Sequence, residues 1–433
     1  MSMNFNRRTF LKAASGATAL PLLGHVRHAR AATSRVVVVG GGFAGATAAK
    51  YVAQWGGPGV SVSLVEPDAT HVSCILSNLV LNDRVKYAAL GFNHSMLHQR
   101  YGVELVRDRA VAADPVAGKL DLASGSTLAF DRLIVAPGIG FDPVPGLGTP
   151  ALQAMVPHAW IAGSQTLTLR DQLMKMANGT TVILTIPKAP YRCPPGPYER
   201  ACVIADYLKR KKPRSKIVVL DANPVIQAEP SAFLNAFNVL YAGRLEYVPN
   251  AEVVRVSFEG SRRVAWVRNG ASEIAYRCDV LNHIPRNTAA PLVHHLGLAN
   301  VGGRWAGVDP LSFESAVAPN IHVIGDAQGT GLPKAGHIAN CEAKVCADAV
   351  VRMLNGWPID EPARLSSLVL NSACYSPITY TTASWLNAVF AYDAGSGLMK
   401  RVDASFGEAE RHSTKNFEQM FKWAERLFDD TFA

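Results

Sequence analysis

The segment Val36-Val37-Val38-Val39-Gly40-Gly41-Gly42-Phe43-Ala44-Gly45 restricts the fold of this chain more than any other. Four consecutive valines read as a buried strand. The small residues over 46–55 read as a helix, and 61–66 as the next strand. Strand, helix and strand in that order form a parallel unit. Gly40 permits the tight turn, Gly42 lets the backbone approach a pyrophosphate, and Gly45 lets helix and strand pack closely. The helix N-terminus offers N–H donors and the positive dipole end to phosphates. Glu66 lies 21 residues beyond Gly45, where an acid can hold ribose hydroxyls. Together these features predict a dinucleotide site.

Further along, 133–138 is an apolar strand ending in a turn, and 320–327 is a strand ending in Gly325-Asp326. Between them, 181–186 and 216–221 read as parallel strands with a helix near 198–210. A nicotinamide domain would carry its glycine fingerprint after the first of these. The chain instead has Pro187-Lys188-Ala189-Pro190-Tyr191-Arg192-Cys193-Pro194-Pro195. Prolines cannot offer the N–H groups that cradle a pyrophosphate. A helix is expected to open at Pro333-Lys334-Ala335-Gly336-His337 and run to about Leu354. The predicted class is α/β, with two Rossmann-like dinucleotide-binding-type domains and a C-terminal α+β domain. The expected parts are a first dinucleotide-binding domain in two pieces, 32–150 and 285–357, which the resemblance given below makes FAD-binding, a second Rossmann-like domain at 151–284, and an interface domain at 358–433.

Residues 1–31 read as an export leader. Asn6-Arg7-Arg8-Thr9-Phe10-Leu11-Lys12 precedes an apolar run and an Ala29-Arg30-Ala31 cleavage site, which predicts the twin-arginine route to the periplasm. The leader holds five bases and no acid, so removing it lowers the net charge from +9 to +4. That balance, without a basic stripe of interleaved aromatics, excludes a nucleic-acid binder. Beyond the leader no apolar run is long enough to span a bilayer. The cysteines at 74, 193, 202, 278, 341, 346 and 374 form no C-x-x-C and have no zinc spacing, so no metal site is expected. There is no C-x-x-C-H either, hence no haem attachment motif.

The segments Ser73-Cys74-Ile75-Leu76-Ser77-Asn78, Arg192-Cys193-Pro194-Pro195-Gly196-Pro197-Tyr198-Glu199-Arg200-Ala201 and Ala373-Cys374-Tyr375-Ser376, with the valine–glycine run, resemble the flavoprotein subunit of flavocytochrome c sulfide dehydrogenase. More broadly the chain is similar to glutathione-reductase-type disulfide oxidoreductases and sulfide:quinone oxidoreductases. The resemblance implies FAD as cofactor, joined covalently through Cys74, with Asp326 on the ribitol chain. It implies a redox-active disulfide between Cys193 and Cys374 and a small inorganic sulfur substrate. Haem c would sit on a partner cytochrome. Glu199, six residues past Cys193 and near a helix start, is the candidate acid/base. Arg192 and Lys188 are expected to lower the Cys193 pKa, and Lys334 and His337 to face the reduced flavin's anionic edge. Cys341 and Cys346 are expected in the core, and Cys202 is a possible rival for pairing. A sulfide:quinone oxidoreductase is the alternative enzyme, disfavoured because 417–432 has four acids against two bases. A non-catalytic flavin-bearing partner of sulfur-oxidation proteins is the third reading.

Overall fold

The structure, a computed structural model, describes residues 33–433. The expected leader lies outside them. The glycine-linked unit forms as read. Strand Ser34–Val39 pairs in parallel with Val60–Val65, and the helix Phe43–Gly56 joins them. The sheet continues to Glu104–Val106 on one side, and to Arg132–Val135 and then Ile321–Val323 on the other, all parallel. Its central strands, Ser34–Val39 and Arg132–Val135, end in continuous buried apolar runs, as parallel strands covered on both faces do.

A second parallel sheet runs Leu245–Val248, Lys216–Asp221, Thr181–Ile186, Val280–His283. Helix Gly196–Lys211 connects its two central strands and is buried from Gly196 to Leu208. The basic run at its end is solvent-facing at Lys209, Arg210 and Lys211, and Arg210 pairs with Asp206 at 2.6 Å. The acidic residue that closes the second strand, Asp221, is saturated from within. Its carboxylate accepts from Tyr198 and Tyr247 at 2.8 Å each and from Asn223.

Helix Gly336–Leu354 lies against Phe43–Gly56, where Asn340 donates to Thr47 at 3.0 Å. The chain then forms an antiparallel sheet, Val369–Pro377, Ala383–Asp393 and Leu398–Arg401, with Gly407–Glu408 pairing the middle strand. Helix Thr414–Phe432 closes the chain, capped by the Ser413 hydroxyl, which accepts from the Asn416 N–H at 3.1 Å. Phe417, Met420, Ala424, Leu427 and Phe432 make its buried stripe. Phe432 stacks on Phe92 at 4.8 Å and on His71 at 5.4 Å. Lys50, from the first helix, donates to the carbonyls of Asp430 and Ala433 at 2.9 and 2.8 Å. The final turn is thereby fastened beside the glycine loop. Among the described residues no helix is long and apolar enough to cross a membrane.

Candidate active site

Two cavities meet at Cys74, Arg192 and Gly336. The larger, about 1170 Å³, is lined by Gly40, Gly41, Gly42, Glu66, Gly325 and Asp326 among others. The smaller, about 80 Å³, brings together Cys74, Cys193, Cys374, Asn78, Glu199 and His337.

The larger cavity is cut to a dinucleotide. Gly40 has φ +99°, and a Cβ there would lie 2.4 Å from the Ala136 carbonyl oxygen. A Cβ on Gly45 would lie 1.8 Å from the Gly40 carbonyl oxygen, so helix and turn could not close. Glu66 accepts from the Gly41 N–H at 2.6 Å and holds the loop open at the end of its strand. The Gly325 N–H donates to Glu342 at 2.6 Å. Asp326 Oδ1 is buried with no partner, and burial raises its carboxyl above the usual range. An orphaned oxygen at the wall of a glycine-cradled cavity needs a polar ligand. FAD fits these residues, which would hold its phosphates at 40–42, a ribose at Glu66 and a ribitol hydroxyl at Asp326.

Cys193 stands on the proline-rich loop in the left-handed region, φ 57°. Its N–H donates to the Lys334 carbonyl at 2.7 Å, and its carbonyl accepts from Gly196 at 2.9 Å. Gly196 is required there, since a Cβ would come within 2.9 Å of the Cys193 sulfur. Cys374 arrives from the Val369–Pro377 strand, 181 residues later. The two are free thiols in this structure, as are the other five cysteines. Cys74 heads a turn closed by the Ser77 hydroxyl, which donates to the Cys74 carbonyl at 2.7 Å.

Glu199 returns towards Cys193 on the first turn of its helix. Its Oε1 accepts from Asn78 at 2.9 Å. Burial lifts its carboxyl from 4.5 to about 8, against the Asn78 hydrogen bond and the Arg200 charge. It is therefore protonated at neutral pH. Arg200 fixes Asn78 in turn, donating to its Oδ1 at 2.8 Å and to the Ala159 and His158 carbonyls at 2.7 and 2.9 Å. Asn78 and Arg200 had no role in the sequence reading. Both stood inside the quoted motifs, but their partners are far away in the chain.

Several expectations are corrected. Cys193 is not acidified: burial first, then the Cys374 and Glu199 charges, raise its thiol well above the usual value, and Arg192 opposes them only weakly. Burial likewise raises Cys374 to about 12. Lys334 lines neither cavity. Its ammonium donates to the Gln328 carbonyl at 2.5 Å and sits 3.8 Å from the Trp305 ring centre. His337 does line the smaller cavity, but burial lowers it to about 4, so it is neutral there, and its Nδ1 accepts from the Ala373 N–H at 3.1 Å. Cys202 and Cys346 are fully buried, whereas Cys341 is half-buried.

This fold and site define a flavoprotein of the disulfide-oxidoreductase class. Residues 34–174 match the family model described as pyridine nucleotide-disulphide oxidoreductase. The sulfide:quinone oxidoreductase structure from Aquifex aeolicus superposes with a TM-score of 0.71 at 16% identity, covering 92% of this chain and 91% of that one. Mouse mitochondrial sulfide:quinone oxidoreductase is 23% identical over 316 residues, 69% of this chain and 66% of its own. Residues 166–285 match the model for the central part of the sulfide dehydrogenase [flavocytochrome c] flavoprotein chain. The chain is also 56% identical over 48 residues, 11% of its length, to the sulfide dehydrogenase [flavocytochrome c] flavoprotein chain of Chlorobaculum thiosulfatiphilum, a short sequence covered at 98%. The chain belongs to the family of flavocytochrome c sulfide dehydrogenase flavoprotein chains.

Proposed function

We propose that this protein is the flavoprotein of a periplasmic sulfide dehydrogenase. It carries FAD on Cys74, oxidises hydrosulfide to sulfur or polysulfide through Cys193 and Cys374, and passes electrons to a c-type cytochrome subunit that holds the haem. One observation carries the reading: Cys193, Cys374 and Glu199 share a small buried cavity with Cys74, which also lines the glycine-cradled one. The printed name of the Chlorobaculum relative supports both substrate and cytochrome partner. The twin-arginine motif supports the periplasm.

FAD, when bound, supplies the two-electron acceptor for the thiol pair. The chain's own groups do the rest. Hydrosulfide attacks the oxidised Cys193–Cys374 pair; a new S–S bond forms on one cysteine as the old one breaks, and the other sulfur leaves as thiolate. The same burial that raises both thiols makes that thiolate costly, so it either takes a proton or gives up its electron pair. Glu199, protonated below about 8, holds the proton at its carboxyl next to the pair. A second hydrosulfide attacks the outer persulfide sulfur, releasing disulfane anion and a cysteine thiolate, which closes the disulfide with its partner again as two electrons leave the pair. Asn78 and Arg200 orient Glu199 without touching sulfur.

Anaerobic mixing with sulfide is expected to bleach the flavin absorbance. Cys193→Ser is expected to abolish the bleaching, and retention at the normal rate would overturn the mechanism. Cytochrome c reduction by the complex without quinone supports the acceptor; reduction of quinone alone defeats it. Yellow colour that remains with acid-precipitated protein, and is lost in Cys74→Ser, tests the covalent bond.

A further inference from the structure

Glu229 is a buried carboxyl that the mechanism above does not use. It sits ahead of the short helix Pro230–Asn235 in the left-handed region, φ 51°, and is 1% exposed. A bulky non-glycine residue held at positive φ marks a position fixed by its surroundings. Ser376 donates to its Oε1 at 2.5 Å. Its Oε2 faces the Ser384 hydroxyl, on the residue paired with Ser376 across the sheet, without a well-formed hydrogen bond between them. A buried, half-satisfied carboxylate is destabilising unless it carries a proton.

Ser376 and Cys374 are two apart on one strand, so their side chains leave the same face. Glu229 therefore stands on the Cys374 side of the dithiol, as Glu199 stands on the Cys193 side. Outward, the Glu229 N–H donates to Glu408 at 3.2 Å, and Glu408 is only half-buried, on the Gly407–Glu408 strand. The ionisable groups facing Glu229 are Glu408, Glu199 and Cys202 from helix Gly196–Lys211, and Cys374.

We propose that Glu229, held by the Ser376 hydroxyl, is the proton holder for Cys374. This deepens the function proposed above and rests on it for the direction of electron flow. Closing the disulfide from two thiols releases two electrons, which the bound flavin takes, and two protons. The Cys193 proton leaves with the electron pair, and Glu229 takes the one from Cys374. Glu199, already protonated at neutral pH, has no site for that proton. Burial raises Glu229 from 4.5 to about 7, in the range where a group both accepts and returns a proton at neutral pH. As a residue acting through another, it is a positioning residue for the thiol.

The test is the pH profile of thiol alkylation. Reduced holoprotein is treated with iodoacetamide from pH 6 to 11, and modification at Cys374 and Cys193 is read by peptide mass spectrometry. In Glu229→Gln the shape is kept and the charge removed, so the Cys374 thiolate is expected to form more easily. Alkylation there at pH 8 should rise about tenfold, with the Cys193 profile moving less. Glu229→Asp keeps the charge and should restore the original profile. An unmoved Cys374 profile in Glu229→Gln, or an equal shift in Glu229→Asp, overturns the proposal. The measurement needs no sulfide. Loss of sulfide bleaching in the unaltered protein would refute the proposed function, while the alkylation profiles would still decide the place of Glu229.

Discussion

Replacing Glu199 with glutamine should make the protein more stable in alkaline solution while removing the proton proposed to serve the thiol pair. The carboxyl rises from 4.5 to about 8 because burial penalises its charge. Below 4.5 it is protonated in the folded and unfolded chains alike, and its stability contribution is fully present. Between 4.5 and about 8 the folded chain keeps a proton that the unfolded chain has lost, so stability falls as pH rises. Above about 8 the full cost is felt, roughly 4 to 5 kcal/mol for a shift of this size. Glutamine has no charge to bury, and its side-chain oxygen can still accept from Asn78. Urea unfolding at pH 5 and pH 9 checks this. The variant and the unaltered protein should agree within about 1 kcal/mol at pH 5 and diverge by several kcal/mol at pH 9, with the variant more stable. Parallel curves across the range would show that Glu199 is not desolvated, and the account of its role as acid would fall with them.

Arg200→Lys should cost about 3–5 kcal/mol, because one ammonium cannot replace the guanidinium's bonds to Asn78, Asn282 and the carbonyls of His158 and Ala159. Denaturant unfolding reads this, and a loss below about 1 kcal/mol would show those acceptors satisfied otherwise. Phe432→Ala should cost about 3–5 kcal/mol by opening a cavity between Phe92 and His71, lowering the unfolding midpoint. An unchanged midpoint would mean that the last turn does not pack on the nucleotide domain in solution.

What was legible in the chain was local. The valine run, the three glycines and the small-residue helix specify a turn whose geometry depends on neighbours a few residues away, and Gly40 and Gly45 occupy the tight contacts expected of them. The helix expected from Pro333 begins at Gly336 and ends at Leu354, since its stop depends on its own composition. The cysteine motifs marked the site because their residue order is unusual, although nothing in that order tells how far apart the sulfurs lie.

Charge and protonation were not legible, because they depend on what surrounds a group from every side. Arg192 adjoins Cys193 in sequence and invited the reading of an acidic thiol, yet desolvation outweighs it. Asn78 reaches Glu199 across 121 residues, and Ser376 reaches Glu229 across 147. The final helix looked merely acidic and aromatic until folding turned its apolar stripe inward onto the first domain. Short-range sterics write backbone shape into adjacent letters. Burial, which sets the acidity of each sulfur and carboxyl here, exists only once segments hundreds of residues apart have excluded water from one another.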